Sequence, residues 1–413
     1  MGAASRPMEG GAADHGAGPD FTAFGSALER IRQWRDRLLM SPGFQRTAAR
    51  FAPTRWVASR RERDLFDLCA GFVYTQTLLS CVRLGVFEAL ANGALTASTL
   101  AARIDLSPHL AERLARAAAS LNLLELRGTQ PKADHNACGA ELIVGLGPLG
   151  AAVLGNPAVV AMIEHHALLY RDLEDPVALL RSGGGGGALN AYWAYARAND
   201  PAGLQDGRVG QYSALMAASQ ALVAEDVVAA WRFDRYRTIL DVGGGEGAFL
   251  GAVGAVAPSA QLVLFDLPAV AQRGQAHLRG LGFGARARAV GGDFGRDALP
   301  TGADLITLVR VLHDHDDDVV LRLLRAVRRA LPEDGTLLIA EPMAGTLGSE
   351  RIGDAYFGFY LLAMGSGRAR TAAELTELLH AAGFTNVREP STRRPLRVRL
   401  LSARVAARYH LPT

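Results

Sequence analysis

The 413-residue sequence predicts an α/β C-terminal domain with a mostly parallel sheet, behind an all-helical, winged-helix-like N-terminal half. Three observations carry this. From about Arg237, short apolar runs alternate with Ala-, Leu- and Arg-rich helical segments. Several of those runs end in an acid, a glycine or a histidine. Before Arg237, apolar residues recur mainly at helical spacing. The length calls for two or three domains, and 49% hydrophobic residues suffice for substantial cores.

In chain order, residues 1–20 read as a disordered Gly/Ala-rich tail and residues 21–61 as an Arg-rich, amphipathic helical extension. Residues 62–150 form the winged-helix-like unit. Its first helix runs from Asp64 to Leu90, with Leu65, Leu68, Phe72, Leu78, Leu79, Val82 and Phe87 at helical spacing. A short helix follows the Thr96 cap, and Ser107-Pro108 opens a longer one, with serine as cap and proline at the first helical position. Arg127 to Gly139 reads as a two-stranded wing. Such a unit can read DNA, but Leu110–Leu124 carries only Arg113 and Arg116 as cations, beside Glu112. Packing and dimerisation are the better expectation. Residues 151–236 form a helical connector, broken by the flexible Gly183–Gly187 run.

In the remaining domain, residues 237–413, the strands are Thr238–Val242, Gln261–Phe265, Arg286–Val290, Asp304–Val309 and Gly335–Ala340, with Leu396–Val405 closing the sheet in a hairpin. The first strand runs into Asp241-Val242-Gly243-Gly244-Gly245-Glu246-Gly247. Glycines let a backbone turn tightly and come close to a ligand, and the next helix offers free N–H groups. Gly243-x-Gly245-x-x-Ala248 also satisfies a dinucleotide fingerprint. With Asp241 two residues before the first glycine, Asp241-x-Gly243-x-Gly245-x-Gly247 resembles the loop of S-adenosylmethionine (SAM) methyltransferases, where it cradles an amino-acid moiety. Asp266, ending the second strand, can accept both ribose hydroxyls, and Leu267-Pro268 turns the chain away. After the third strand, Asp293 can accept from an adenine amino group and Phe294 can pack on the ring. The fourth strand ends in Arg310-Val311-Leu312-His313-Asp314. A histidine there, largely neutral near pH 7, can act as a base. Glu341, ending the fifth strand, can orient that ring. The aromatic Asp354–Met364 segment packs a core or lines an apolar tunnel.

Composition excludes little more. A formal charge of +3 gives no case for nucleic acid, and Cys69, Cys81 and Cys138 lack metal spacing, which suits a reducing, cytoplasmic setting. The Asp314–Asp318 run is continuous and lacks ligand spacing, so no metal is expected. No uninterrupted apolar run reaches the length of a membrane span, and the N-terminus lacks a signal pattern; peripheral membrane contact through the basic segment stays open.

Asp-Val-Gly-Gly-Gly-x-Gly, Phe-Asp-Leu-Pro, Gly-Asp-Phe, Leu-His-Asp and Arg370-Thr371 occur in an order that resembles the small-molecule O-methyltransferases of plant-phenolic and bacterial polyketide metabolism, from about Asp64 onwards. The resemblance implies a Rossmann-like, seven-stranded SAM domain behind a dimerisation domain, with SAM as cofactor. It implies His313 as base with Glu341 beside it, and Tyr212 to Met216 as a lid over the cofactor. Where plant members carry a second glutamate, before the Arg-Thr pair, this chain has Ala369. Leu38–Gln45 and Leu65–Gln76 look like the carotenoid hydroxyl O-methyltransferases of purple phototrophic bacteria, which methylate the tertiary 1-hydroxyl of acyclic carotenoids. Alternatives from the same motifs are a polyketide or phenolic acceptor, a winged-helix regulator that senses SAM, or a SAM fold turned to hydroxylation or decarboxylation.

Overall fold

The computed structural model describes residues 23–131, 140–196, 220–395 and 397–405. The expected tail and the expected lid residues Tyr212 and Met216 lie outside the described residues. The chain forms two compact units, Met1–Thr77 and Leu78–Thr413.

The first unit holds helices α1 (Ala23–Met40) and α2 (Pro42–Arg50) and most of α3 (Ala52–Arg83). α2 starts where the Ser41 hydroxyl accepts the Phe44 N–H at 3.4 Å, with Pro42 in the first turn. α3 differs from the expected Asp64–Leu90 helix at both ends. It begins at Ala52, right after Phe51, and stops at Arg83; Gly85, at φ 67°, starts a separate short helix, Val86–Ala89. α3 contains an 18-residue window of mean hydropathy 1.4, long and apolar enough by those measures to cross a membrane. Asp67, Tyr74, Thr75 and Gln76 interrupt its apolar sequence. Leu65, Phe66, Leu68 and Phe72 are each more than 60% exposed among the described residues, so this helix presents apolar side chains.

The second unit opens with a core of Cys81, Val86, Phe87, Leu100, Ala115 and Val144. Strand β1 (Leu95–Thr96) leads into helix Ala97–Arg103, capped by the Thr96 hydroxyl on the Thr99 N–H. Helix Pro108–Ser120 follows; its Ser107 hydroxyl makes no cap bond, so the proline alone marks that start. β2 (Leu124–Pro131) and β3 (Ala140–Leu146) form a hairpin, and the small antiparallel sheet has the order β1-β3-β2. The glycine run is less slack than expected. The Gly185 N–H donates to the Leu362 carbonyl at 2.9 Å, and a side chain at Gly184 would strike that same carbonyl.

The main sheet comprises β4 (Thr238–Val242), β5 (Gln261–Asp266), β6 (Ala287–Gly291), β7 (Leu305–Val309), β8 (Thr336–Glu341), β9 (Phe384–Arg388) and β10 (Arg399–Val405), in the order β6-β5-β4-β7-β8-β10-β9. β4 to β8 are parallel; β10 runs antiparallel to both neighbours. Side chains alternate strictly between two cores. Leu240, Val242, Ile306, Leu308, Leu337 and Ile339 face one, while Ile239, Leu305, Val309, Leu338 and Ala340 face the other. The chain runs outward from β4 through β5 to β6, then returns to place β7 on the other side of β4. That reversal opens a crevice at the carboxyl ends of β4 and β7, where open parallel sheets take their ligands.

Candidate active site

Every motif residue of this domain that the sequence singled out, and that is described, sits at the carboxyl edge of the sheet. Asp241 is fully buried in β4, in register with Thr307 of β7. The Thr307 hydroxyl donates to Asp241 Oδ1 at 2.6 Å, while Oδ2 has no hydrogen-bond partner among the described residues. Burial first, and the nearby Asp266 charge as well, push the Asp241 carboxyl up to about 7, against the Thr307 hydrogen bond. Thr307 was not foreseen, although a hydroxyl inside the apolar run Leu-Ile-Thr-Leu-Val is a signal of its own.

The glycine loop lies just above. Gly243 (φ 70°) donates its N–H to Phe265 at 2.8 Å. Gly245 takes φ 58°, which favours glycine, and has open space where a side chain would stand. The Gly245 N–H donates to Asp266 Oδ2 at 2.8 Å, and the Leu267 N–H to Asp266 Oδ1 at 2.7 Å. Asp266 therefore ties the first loop to the end of β5. Its carboxyl is raised, by burial against the opposing pull of those backbone bonds and Arg273. Leu267 caps the helix Pro268–Gly280. Asp293 accepts from Gly295 N–H at 2.8 Å and meets Arg296 at 3.7 Å, so its carboxylate also braces its own turn. The Phe294 ring stands edge-on to His315 with centroids 5.3 Å apart.

After β7 the chain turns sharply at Arg310, which has φ 57°, a conformation uncommon outside glycine and costly enough to mark a site. His313 follows in a short 3-10 turn, Leu312–Asp314, and is 7% exposed. Its Nδ1–H donates to Glu341 Oε2 at 2.6 Å; an ionised carboxylate only accepts, so the proton is assigned to Nδ1. Glu341 Oε1 accepts the Val311 N–H at 2.8 Å and the Leu312 N–H at 2.6 Å. One carboxylate thus holds both the imidazole and the backbone that carries it. The other ring nitrogen, Nε2, is 3.3 Å from Asp314 Oδ1. Burial would lower the His313 pKa; Asp314 and Glu341 outweigh it, against some opposition from Arg310, and the net shift is upward.

Arg370 had no role in the sequence reading beyond its motif. It is 2% exposed and clamps the turn that carries His313. It donates to the carbonyls of Leu312 at 2.8 Å and His315 at 2.7 Å, and to Asp317 Oδ1 at 2.7 Å. Gly367 packs on the same turn at φ 82°, and a side chain there would strike the His313 carbonyl. Arg370→Ala leaves two carbonyls without their donor, each costing about 1–3 kcal/mol. We expect a lower urea midpoint and a roughly tenfold lower kcat, with SAM affinity unchanged. An unaltered kcat in the folded variant would remove Arg370 from the positioning of His313.

Aromatic side chains complete the surroundings. Phe357 stands edge-on to His313 at 5.8 Å and to Tyr356 at 5.2 Å. The Tyr356 hydroxyl is hydrogen-bonded to His166 Nε2 at 2.9 Å, and that of buried Tyr360 to His165 Nε2 at 2.8 Å. Burial lowers the pKa of both histidines, His165 to about 4, so they stay neutral. The wall beside His313 is aromatic, with its hydroxyls already satisfied.

Residues 170–385 match the O-methyltransferase domain, and residues 66–138 the O-methyltransferase dimerisation domain. This chain belongs to the O-methyltransferase family. It is 42% identical over 353 residues to demethylspheroidene O-methyltransferase of Cereibacter sphaeroides, covering 85% of this chain and 89% of the relative. The protein of that name from Rhodobacter capsulatus is 40% identical over 349 residues, 84% and 83% of the two chains. Among solved structures, CalO1, a methyltransferase of calicheamicin biosynthesis with S-adenosylhomocysteine bound, aligns with a TM-score of 0.67 at 25% identity, covering 84% of this chain and 98% of its own.

As an O-methyltransferase of this family the chain uses SAM and a small-molecule acceptor, and its dimerisation domain makes it a homodimer. The cradle fits that cofactor. SAM is cationic at its sulfonium and its α-ammonium. The crevice holds buried Asp241, which has an unpartnered oxygen among the described residues, and half-buried Asp266, both of raised pKa, beside a glycine with open space where a side chain would stand. A cation relieves such a pair, whereas a pyrophosphate would add to its charge. The dinucleotide alternative therefore has the wrong sign.

Proposed function

We propose that this O-methyltransferase methylates the tertiary 1-hydroxyl of acyclic hydroxycarotenoids. The observation that carries the acceptor is the likeness, over more than four-fifths of the chain, to two demethylspheroidene O-methyltransferases. The aromatic wall beside His313 supports it, since a long apolar acceptor needs an apolar site. SAM, when bound, supplies an electrophilic methyl group. In this reading Asp241, Gly243, Gly245, Asp266 and Leu267 hold the cofactor's amino-acid and ribose ends. Asp293 and Phe294 serve the adenine side, Arg310 is a further cofactor residue, and Tyr212 and Met216 form the lid. His313 Nε2 takes the hydroxyl proton, and Glu341 fixes the ring so that Nε2 carries the lone pair. A tertiary alcohol is too weak an acid to ionise beforehand, so proton removal accompanies methyl transfer. We place the enzyme in the cytoplasm, in peripheral contact with the membrane that dissolves its acceptor. The domain limits 62–150 and 237–413 are part of the same proposal.

The raised His313 pKa sets the pH dependence. Only the neutral ring is a base, so kcat/KM should rise with pH through a midpoint above 6.5. Glu341→Gln removes one of the two charges that raise it, so the midpoint should move down; kcat should fall as well, because the amide nitrogen would donate to Nδ1 and favour the tautomer that has no lone pair on Nε2. A midpoint at or below 6.5, or one unmoved by Glu341→Gln, would separate the observed limb from His313. For the acceptor, the test is a panel of a 1-hydroxycarotenoid, a polyketide phenol and a simple phenolic, each incubated with SAM and read by mass. A gain of one CH2 on the carotenoid is expected; turnover of the phenols without it would make the enzyme a phenolic methyltransferase.

A further inference from the structure

We propose that the segment Ala23–Arg61 is a docking surface for anionic lipid headgroups, holding the enzyme at the membrane where its acceptor is dissolved. This rests on the acceptor reading above. The segment precedes residue 66, where the match to the dimerisation domain begins. It contains nine arginines, no lysine, and only Glu29 and Asp36 as acids, a formal charge of +7. The whole chain carries +3, so all its other residues together carry −4. Only Arg32 and Arg35 have an acid within 4 Å among the described residues, at 3.8 and 2.7 Å. The remaining guanidinium groups face solvent.

The same surface is apolar in a patterned way. On α1, Leu28, Ile31 and Trp34 are 51%, 62% and 65% exposed, and with half-buried Leu38 they recur at three- and four-residue spacing, which makes one stripe. Arg35, paired with Asp36 at 2.7 Å, falls within that stripe; Arg32 lies along one edge, and Arg30 and Arg37 along the other. Beyond it, Phe51 and Trp56 are 59% and 66% exposed. An apolar stripe edged by arginine, with tryptophan present, is the pattern of a helix lying in the membrane interface: rings and aliphatic groups enter the acyl boundary while guanidinium groups meet phosphate. A second copy is a poor occupant, since it would set +7 against +7. A polyanion without lipid would leave the tryptophans and isoleucine in water. The apolar side of α3 at Leu65, Phe66, Leu68 and Phe72 carries no comparable charge and borders or lies within the dimerisation match, so a second copy suits that face.

The experiment is co-sedimentation of the full-length dimer with vesicles of phosphatidylcholine alone or with phosphatidylglycerol added. Wild type should pellet with the anionic vesicles, and at least tenfold less with neutral ones or in half-molar salt. The variant Ile31→Ser/Trp34→Ser/Trp56→Ser keeps every arginine; it should stay in the supernatant while remaining dimeric on a sizing column. Its activity on detergent-dispersed 1-hydroxycarotenoid should equal wild type, and its activity on vesicle-embedded carotenoid should fall at least tenfold. Wild type that ignores anionic vesicles overturns the proposal, and so does a triple variant that pellets as well as wild type, because charge alone would then account for binding. Failure of wild type to methylate the detergent-dispersed carotenoid, with sedimentation as expected, defeats the acceptor reading instead and removes the membrane's stated purpose.

Discussion

His313→Gln should lower kcat by about 10²–10⁴-fold, towards the upper end of that range, and leave SAM affinity nearly intact. The expectation follows from the acidity of the acceptor and from the geometry. A phenol can lose its proton to water near neutral pH to some extent; a tertiary alcohol cannot, so the base has more of the barrier to remove. The imidazole is fixed by Glu341 at 2.6 Å, and Glu341 in turn is fixed by two backbone N–H groups. Glutamine keeps a side chain of similar reach but cannot accept a proton at neutral pH. The ring stands away from the Asp241–Asp266 cradle in the hydrogen-bond network, which is why cofactor binding should be spared. Retention of more than about a tenth of kcat would assign the reaction to positioning alone.

Asp266→Ala should be the most damaging single change for the cofactor. It removes a charge-assisted acceptor worth about 1.5–3 kcal/mol, which corresponds to roughly 10–150-fold in SAM affinity. The structure adds a second reason. Asp266 holds the Gly245 and Leu267 N–H groups at 2.8 and 2.7 Å, so its loss also frees the glycine loop from the end of β5. Asp266→Asn, which keeps an acceptor oxygen and loses the charge, should fall between wild type and alanine. Calorimetry on the folded variants reads this directly; equal affinity in all three would reject Asp266 as a cofactor residue.

What the sequence made legible was the carboxyl edge of the sheet. Asp241, Asp266, His313 and Glu341 each stand at or just beyond the end of an apolar run, and the carboxyl ends of parallel strands are where polar groups gather around a ligand. The five parallel strands were placed to within a residue or two for the same reason. β9 was not named. Phe384-Thr-Asn-Val-Arg is short, lies at the sheet's edge and buries only Phe384 fully, so it lacks an apolar run. Arg370 was seen as a motif and not as a clamp, because two of its partners are backbone carbonyls of residues 312 and 315, which no side-chain pattern announces. The pairing of His165 and His166 with Tyr360 and Tyr356 spans more than 180 residues and is a product of packing alone. The helix misplaced at Asp64–Leu90 had its break at Gly85 in plain view, but a single glycine inside a helical pattern is ambiguous without its φ.

Wild type and His313→Gln should be compared in a single turnover with SAM labelled in its methyl group, a pure 1-hydroxycarotenoid in detergent, and both variants saturated with SAM. We expect the label as a methyl ether on the tertiary 1-oxygen with wild type, and almost none over the same interval with His313→Gln. Label on carbon, no label on the carotenoid, or equal rates in the two proteins would contradict base-assisted methylation of a tertiary alcohol.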